Sequence, residues 1–336
     1  MKNLNKNIFN KYFSHIYIES KALNHPNTLK ILSHFPSSKI IEINHYKDIF
    51  CRSHQNFYLQ KQSPNLILAV KNDNLVYKGA KFCDDFGNDY FYYTSSMMNC
   101  LYNCEYCYLQ GMYSSANIVI FVNIEDIFAE VEKLLTKHPV YLCISYDTDI
   151  LAFENVLGYA SKWIEFAKKH PQLKIELRTK SANFNSIKSI NPSNNIILAW
   201  TLSPNKVTDN YEINTPKLTK RLESIKDALN SNWNVRICFD PLLYIKNWDV
   251  HYKKLIDTTF SIIPANKVYD VSIGVFRVSS DYLKIMRKQR FDSVILNYPF
   301  ETKNGVATYN NDLSNKMINY IYNLVNKYIS KEKIYI

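Results

Sequence analysis

The sequence has few glycines and no long apolar run. Its six glycines form no glycine-rich loop, which argues against a phosphate- or dinucleotide-binding fingerprint. No apolar stretch approaches the roughly 20 residues of a membrane-spanning helix, and the N-terminus lacks the apolar core of a signal peptide. We therefore expect a cytoplasmic protein that makes no contact with membranes.

The seven cysteines do not form the pattern of a disulfide framework. They are spread over 336 residues with no secretory signal, as in a reduced intracellular enzyme. Four of them stand alone, at Cys51, Cys83, Cys143 and Cys238. The other three are packed into eight residues with the spacing C-x3-C-x2-C, at Cys100, Cys104 and Cys107. Thiols this dense predict a metal site.

The number and spacing of these ligands indicate which metal they hold. A closed structural zinc site needs four ligands, usually as two short pairs, and no histidine follows the triplet until His138. Ordinary core cysteines have no reason to gather in a loop flanked by Asn and Tyr. A 4Fe-4S cluster has four iron corners, so three thiolates leave one iron free to take a small molecule. The triplet therefore favours a catalytic iron-sulfur cluster.

The residues around the three cysteines resemble the sequence of a known protein family. With Tyr106 directly before the last cysteine, the triplet resembles the radical S-adenosylmethionine superfamily. Residues 104–110, Cys-Glu-Tyr-Cys-Tyr-Leu-Gln, and the following segment 118–127 are similar to the cluster loop and next segment of the spore photoproduct lyase family. The likeness runs patchily from about residue 66 to the C-terminus, and residues 1–60 show nothing specific.

The hydrophobic period alternates between strand and helix along the chain, and parallel strands with crossover helices are the natural packing for such a pattern. The predicted strands are residues 90–94, 140–145, 174–179, 195–202, 235–239 and 268–278. The predicted helices are residues 124–137, 155–169, 216–230, 249–262, 281–289 and 313–329, with Pro216 in a first turn. The predicted class is α/β: a partial (β/α)6-type parallel barrel over 81–336, an N-terminal extension of mixed α/β structure over 1–80, and a C-terminal helix.

The resemblance implies a reaction and its partners. In that family a 4Fe-4S cluster and S-adenosylmethionine generate a 5'-deoxyadenosyl radical. The radical takes a hydrogen from C6 of the spore photoproduct (5-thyminyl-5,6-dihydrothymine), which reverts to two thymines. The implied partners are ultraviolet-damaged DNA and an electron donor such as flavodoxin or ferredoxin. The expected protein is a monomer or weak dimer in the cytoplasm of a spore or germinating cell.

Roles carry over from the family where the residues match. Cys100, Cys104 and Cys107 match the cluster ligands, and Tyr106 and Tyr108 match two tyrosines implicated in cofactor contact and hydrogen return. Three residues at strand ends match positions near the cofactor: Lys180, Thr201 and Ser203. Arg277 resembles an arginine beside the lesion, and an arginine in an apolar strand needs a buried partner.

The hydrogen donor is where this sequence departs from the family. The better-known lyases have Cys-x-Ser-Asp at the end of the second barrel strand, whereas residues 142–149 read Leu-Cys-Ile-Ser-Tyr-Asp-Thr-Asp. One alignment makes Cys143 the donor and Ser145 the serine, and the other puts Tyr146 and Thr148 in those places. In a strand, Cys143 and Tyr146 point to opposite faces, so only one of them can face the radical. If Tyr146 lines the pocket, Cys83 is the next candidate donor.

The charge agrees with a polyanionic partner. The net charge is +11, with 41 basic and 30 acidic residues, which suits contacts to phosphates. We expect phosphate contacts from two basic groups: Lys253, Lys254, Lys284, Arg287, Lys288 and Arg290, and Lys217, Lys220 and Arg221. The alternatives are a radical enzyme of this subgroup with a different substrate, which the altered 143–149 segment permits, and a non-catalytic iron-sulfur protein that binds DNA.

Overall fold

The computed structural model describes residues 13–80 and 83–336. The strands in these residues are β1 (His15–Glu19), β2 (Lys39–Ile43), β3 (Leu66–Ala69), β4 (Tyr77–Lys78), β5 (Phe91–Tyr93), β6 (Met97–Met98), β7 (Asn103–Cys104), β8 (Ile118–Phe121), β9 (Val140–Cys143), β10 (Leu173–Thr179), β11 (Ile196–Thr201), β12 (Glu212–Ile213), β13 (Asn234–Leu242), β14 (Asp270–Val275), β15 (Arg277–Ser279), β16 (Glu301–Lys303), β17 (Val306–Thr308) and β18 (Ile334–Tyr335).

The helices alternate with these strands along most of the chain. They are α1 (Pro26–Leu32), α2 (Lys47–Phe50), α3 (Phe57–Gln60), α4 (Leu109–Met112), α5 (Ile124–Leu135), α6 (Glu154–Leu157), α7 (Tyr159–Lys169), α8 (Asn205–Tyr211), α9 (Leu218–Asn230), α10 (Trp248–Ile262), α11 (Ser280–Gln289) and α12 (Asn311–Val325). Within residues 13–80 and 83–336, no helix has the length and hydrophobicity needed to cross a lipid bilayer.

The larger sheet is mostly parallel and holds the site. Its strand order is β18-β14-β13-β11-β10-β9-β5-β4, and every neighbouring pair is parallel except β5 with β4. Its central strands are almost entirely buried and read as continuous apolar runs, because both faces of a parallel sheet are covered. In the described residues the sheet runs from β18 at one edge to β4 at the other without closing on itself. The fold is therefore mixed α/β with parallel sheets.

The smaller sheet joins the N-terminal segment to the rest of the protein. Its order is β2-β1-β3-β8-β6, with β3 parallel to β8 and β6 antiparallel to it. Strands from both sides of residue 80 thus share one sheet. The division of the chain at residue 80 stays a prediction. The first 12 residues of the predicted N-terminal extension lie outside the described part of the chain.

Most predicted elements are confirmed, and three need correction. The helix predicted over 155–169 is two helices, α6 and α7, because Gly158 takes a left-handed φ of 68° between them. The strand predicted over 268–278 ends at Val275, and Arg277 opens β15, which pairs antiparallel with β17 in a separate three-stranded sheet with β16. Helix α9 begins at Leu218 with Lys217 as its N-cap, so Pro216 precedes the helix.

A buried polar network crosses the larger sheet. Arg236 of β13 donates two hydrogen bonds to Asp270 of β14, at 2.5 and 2.7 Å, and one to the Tyr141 hydroxyl of β9 at 2.9 Å. It also pairs with Glu176 of β10, and the ring of Phe86 lies 3.3 Å from the guanidinium carbon. Charges buried this deeply are stable only when paired and hydrogen bonded. The network therefore links four strands below the site.

Removing Arg236 should destabilise the fold strongly. Arg236→Met leaves the buried Asp270 carboxylate without its cation and leaves Glu176 with Arg178 alone, so we expect the free energy of unfolding to fall by about 3–5 kcal/mol. Urea denaturation followed by circular dichroism measures this loss. Lys253→Gln, which removes an exposed ion pair with Asp257, is the control and should leave stability unchanged. Equal losses in the two variants would contradict the assignment.

Candidate active site

A cavity of about 480 Å³ opens where the parallel strands of the larger sheet end. The carboxyl ends of parallel strands meet at one edge, so side chains from several strands and loops converge there. Almost all the predicted site residues line this cavity: Cys83, Cys100, Cys104, Tyr106, Cys107, Tyr108, Cys143, Ser145, Tyr146, Thr148, Lys180, Thr201 and Arg277. Ser203 is buried behind the wall and does not line it.

The cysteine loop is held at both of its ends. Asn99 takes a left-handed φ of 66°, which asparagine tolerates, and its side-chain amide donates to the carbonyls of Ser115 and Asn117 at 2.8 and 2.7 Å. Strand β6 precedes this turn in the smaller sheet, and β7, which contains Cys104, pairs antiparallel with β12. These hydrogen bonds and the strand pairing therefore fix the position of the cysteine loop in the fold.

A buried lysine lies behind the loop, and the sequence motifs did not single it out. Lys61 is 9% exposed, and its ammonium donates to the carbonyls of Cys100 and of Tyr102, the latter at 3.0 Å. Burial lowers the pKa of Lys61, whereas Cys100, Cys107 and Cys104 raise it. No salt bridge to a carboxylate joins this ammonium in the described residues. The closest partners of the Lys61 ammonium are therefore the loop carbonyls, and its charge faces the three thiols, which become negative when they bind a metal as thiolates.

The three thiols fit an iron-sulfur cluster. They are free, they line one cavity, and burial raises the pKa of Cys100 and of Cys104 to about 12, so a bound cation is needed to hold them as thiolates. Among residues 13–80 and 83–336, no three His, Cys, Asp or Glu side chains are gathered round a point that suits one metal ion. A cubane takes its ligands at separate iron corners, so three sulfurs spread along a cavity wall suit it.

A carboxylate that the sequence did not single out organises the cofactor side of the cavity. The antiparallel pairing of β12 with β7 sets Glu212 opposite Cys104. Glu212 accepts hydrogen bonds from the Tyr106 hydroxyl, from Ser203 at 2.8 Å and from Arg221, which is fully buried. Two predicted cofactor residues, Tyr106 and Ser203, therefore meet at Glu212.

The charges around Glu212 keep Lys180 cationic. Burial by itself would raise the pKa of Glu212, but Arg221 and Lys180 lower it to about 2. The Lys180 ammonium lies 3.9 Å from the Glu212 carboxylate and 5.1 Å from the centre of the Tyr106 ring. Burial opposes the charge of Lys180, yet Cys104 and Glu212 raise its pKa. Lys180 thus presents a positive charge beside the cysteine loop.

A second buried carboxylate orients the end of β10. Asp149 accepts hydrogen bonds from the Thr179 hydroxyl at 2.7 Å and from the Lys180 backbone N–H at 2.7 Å. Next to it, the Thr148 hydroxyl lines the cavity, is buried and has no hydrogen-bond partner in the described residues. An unmade hydrogen bond of this kind costs about 1–3 kcal/mol. Thr148 is therefore placed to bind a polar ligand atom.

The candidate hydrogen donors lie together, which corrects one sequence expectation. Strand β9 ends at Cys143, so Tyr146 lies in the following loop and strand alternation does not apply to it. Both Cys143 and Tyr146 line the cavity, so strand alternation does not decide between them, and which of them faces the radical stays a prediction. The Tyr146 hydroxyl lies 3.7 Å from the Cys83 sulfur, and its backbone carbonyl accepts from the Tyr108 hydroxyl at 2.6 Å.

The two cysteines of this group stay protonated. Burial raises the pKa of Cys143 to about 12, with a further contribution from Glu176, and burial also raises the pKa of Cys83. Each therefore keeps the S–H bond that hydrogen donation requires. Ser145 is buried at the same wall, where its hydroxyl accepts from the Arg178 backbone N–H at 2.6 Å.

The cavity lining also includes an arginine pair that shares one carboxylate. Arg277 contacts Asp240 of β13 at 3.3 and 3.4 Å, and Arg178 lies 3.7 Å from the same carboxylate. Asp240 is the partner expected for Arg277, although Arg277 lies at the cavity rim and remains 33% exposed. Sequence reasoning missed Arg178 and Glu176, yet the alternation in residues 176–180 puts both on the same face as Lys180.

The basic residues expected to contact phosphates are mostly engaged within the protein. Four lysines of the two groups pair with carboxylates: Lys217 with Asp209, Lys220 with Glu223, Lys253 with Asp257 and Lys284 with Asp281. Three arginines bind interior groups: Arg221 holds Glu212, Arg287 holds the carbonyls of Leu296 and Tyr298, and Arg290 holds Gln110 and Asn103. Arg221 and Arg290 are buried, so the expectation that they contact phosphates is wrong.

The curated relatives of this chain are spore photoproduct lyases. The chain is 24% identical over 253 residues to the enzyme of Clostridium acetobutylicum, covering 73% of each protein. It is 22% identical over 272 residues to the enzyme of Bacillus subtilis, covering 78% of this chain and 77% of that protein.

Solved structures share the fold. A spore photoproduct lyase double mutant with bound AdoMet and dinucleoside spore photoproduct has a TM-score of 0.81 and 15% identity, covering 97% of this chain and 98% of that chain. A spore photoproduct lyase complexed with dinucleoside spore photoproduct gives the same values. The family model described as spore photoproduct lyase matches residues 12–297. Since this match spans most of its length, the chain belongs to the spore photoproduct lyase family.

Proposed function

We propose that this protein repairs DNA by reverting the spore photoproduct to two thymines at the cavity described above. As a member of its family it is a radical S-adenosylmethionine lyase that uses a 4Fe-4S cluster and S-adenosylmethionine. The observation that carries the proposal is the convergence of three free thiols, a cationic lysine and three candidate hydrogen donors on one cavity. When bound, the two cofactors supply the 5'-deoxyadenosyl radical.

On the cofactor side, the residues of this chain would hold and orient the cluster and S-adenosylmethionine. Cys100, Cys104 and Cys107 are the three cluster ligands. Lys180, whose charge Glu212 keeps in place, would pair with the carboxylate of S-adenosylmethionine, and Thr201 would offer a hydroxyl to the same cofactor. Ser203 acts indirectly, because its hydroxyl is bound to Glu212 rather than open to the cavity.

On the substrate side, three polar groups are available to the lesion. Thr148 has a buried hydroxyl without a partner in the described residues, and Ser145 lines the same wall. Arg277 stands at the rim, held by Asp240, where it can donate to a thymine carbonyl or to the phosphate between the two nucleosides. These residues bind the lesion beside the hydrogen donors.

We assign hydrogen return to Cys83, with Tyr146 as the next group. The Cys83 S–H bond breaks as a C–H bond forms on the product radical, which leaves the unpaired electron on sulfur. Tyr146, whose hydroxyl is 3.7 Å away, then restores the S–H bond and becomes a phenoxyl radical. Tyr108, next to Cys107, has its ring centre 5.9 Å from that of Tyr146, and 5'-deoxyadenosine would supply the hydrogen atom that restores the tyrosine. Cys143 lines the same cavity and is the competing donor.

Five finer expectations belong to the proposal. The larger sheet, with β5, β9, β10, β11, β13 and β14 parallel and in order, is the form that a (β/α)6-type partial barrel takes. Ultraviolet-damaged DNA is the substrate. The electron donor of the flavodoxin or ferredoxin kind, the monomer or weak dimer and the cytoplasmic location stay predictions.

One experiment separates this function from its alternatives. The protein is reconstituted anaerobically with iron and sulfide, reduced and supplied with S-adenosylmethionine and a dinucleotide spore photoproduct. Repair predicts both 5'-deoxyadenosine and two thymines. Cofactor cleavage without thymine formation would point to a different substrate, and absence of 5'-deoxyadenosine would leave a non-catalytic DNA-binding protein.

Loss of one cluster cysteine should abolish the chemistry. Cys104→Ala leaves two thiolates, too few to hold the cluster at three corners, so we expect loss of its visible absorbance and of 5'-deoxyadenosine formation. Cys51→Ala, at an exposed cysteine outside the cavity, is the matched control and should change neither. Full cluster loading in Cys104→Ala would overturn the ligand assignment.

Separate donor variants should identify the residue that returns hydrogen. We expect Cys83→Ala to lower the yield of intact thymines by about tenfold or more, with abortive products in their place, while 5'-deoxyadenosine still forms. Cys143→Ala should retain repair, and Tyr146→Phe should slow turnover because Cys83 is not restored. Product analysis by liquid chromatography and mass spectrometry measures all three. The reverse order for the two cysteines would assign the role to Cys143.

The charge of Lys61 should matter for the cluster. Lys61→Gln keeps a donor for the loop carbonyls but removes the cation, so the added electron is stabilised less and we expect a more negative midpoint potential. Potentiometric titration followed by electron paramagnetic resonance measures this shift. Lys61→Arg, which keeps the charge, is the control. A potential unchanged in Lys61→Gln would reduce Lys61 to a structural donor.

A further inference from the structure

A second cleft lies next to the catalytic cavity and has no role so far. Its volume is about 520 Å³, and it is formed by the loop between β13 and α10 and by the facing side of α12. We call it the side cleft and define it by Tyr244, Lys246, Asn247, Trp248, Lys316 and Tyr320, with Asp249 at its edge. A volume of this size is enough for one nucleotide or a similar small ligand.

The side cleft continues the catalytic cavity along the chain. Asp240 and Pro241 line the catalytic cavity, and Tyr244 opens the side cleft three residues later. The backbone N–H of Tyr244 donates to the Tyr309 hydroxyl at 2.9 Å, and Thr308 donates to the carbonyl of Phe276, which lines the catalytic cavity. Three residues of extended chain span at most about 11 Å, so a DNA strand that leaves the catalytic cavity on this side can reach the side cleft.

The charge of the side cleft favours an anion. Lys246 and Lys316 are exposed, and no carboxylate lies within salt-bridge distance of either ammonium in residues 13–80 and 83–336. The lysines of the two basic groups that pair with carboxylates lack such a free charge. Asp249 is the carboxylate at the edge, so the lining remains net positive. The first turn of α10, a 15-residue helix with no side-chain cap, adds the positive end of its dipole.

The aromatic lining favours a base beside that anion. Tyr244 is 41% exposed, which leaves its ring open to a stacking partner. Tyr320 is half-buried and is supported from behind by Trp248, whose ring lies 5.3 Å away at 79°. A cationic groove with aromatic side chains is the arrangement that binds single-stranded nucleic acid without reading its sequence.

We propose that the side cleft binds a nucleotide that flanks the lesion on the damaged DNA strand, with its phosphate at Lys246 and Lys316 and its base against Tyr244. This proposal rests on the proposed function. It distinguishes two kinds of substrate, because a dinucleotide lesion ends inside the catalytic cavity, whereas a longer strand also reaches the side cleft.

The test compares the wild type with Lys246→Gln/Lys316→Gln on two substrates: the dinucleotide lesion, and a single-stranded oligonucleotide of about 12 nucleotides with a central lesion. We expect unchanged repair of the dinucleotide and about tenfold weaker binding of the oligonucleotide at low salt. The slope of log Kd against log salt should fall by about 0.7, the contribution of one neutralised phosphate on a single strand. Fluorescence anisotropy measures binding without depending on repair.

Two further variants make the result specific. Lys137→Gln/Lys169→Gln removes the same charge near the amino ends of β9 and β10, the edge opposite the cavity, and should leave the oligonucleotide affinity unchanged. Tyr244→Ala should weaken oligonucleotide binding about fivefold or more without altering the salt slope, because stacking is uncharged.

Each contrary result has one meaning. Equal weakening by both lysine pairs would show a general charge effect and overturn the proposal. Unchanged oligonucleotide binding in Lys246→Gln/Lys316→Gln would also overturn the proposal. A loss of dinucleotide repair in this variant as large as its loss of oligonucleotide binding would overturn it too. Failure of the wild type to repair the dinucleotide would instead remove the proposed function, and the anisotropy data would still decide whether the side cleft binds DNA.

Discussion

Glu212 is a carboxylate buried where the cysteine loop meets the ends of the parallel strands. A buried carboxylate is stable only when it is hydrogen bonded and paired with cations, and Arg221 and Lys180 supply that charge. In return, Glu212 positions the groups that face the cofactor: it holds the Tyr106 hydroxyl, and it keeps Lys180 charged. The cofactor side of the site therefore depends on one charge balance that spans β7, β10, β12 and α9.

The two sides of the cavity use buried charge in different ways. Below the site, Arg236 pairs with Glu176 and Asp270 within the sheet and Arg178 also pairs with Glu176, so the buried charges of the cavity floor are already paired. At the substrate side, the Thr148 hydroxyl has no partner in the described residues. Groups that are already paired hold the scaffold in shape, whereas a group left without a partner can be satisfied by a ligand. This contrast agrees with a site that binds a polar lesion beside Cys83 and Tyr146.

The local sequence predicted what depends on local physics. Apolar periodicity located most central strands and helices, because burial on both faces of a parallel sheet leaves continuous apolar runs. It failed where a single residue changes the path of the chain: Gly158 divides a helix, and the chain leaves the larger sheet after Val275. It also treated Tyr146 as part of a strand that ends at Cys143. Element ends are decided by turns and pairing partners, which periodicity does not contain.

The sequence by itself determined the family and predicted the cluster ligands, because the spacing of Cys100, Cys104 and Cys107 places three cysteines in one short loop wherever that loop lies. Only the tertiary structure decided their surroundings. Lys61, in the N-terminal segment, contacts the loop at Cys100, which is 39 residues away in the sequence. Glu212 is brought opposite Cys104, 108 residues away, by the β7–β12 pairing. The contact of Cys83 with Tyr146 likewise joins residues 63 positions apart. Such contacts depend on packing between distant segments, and no local pattern records them.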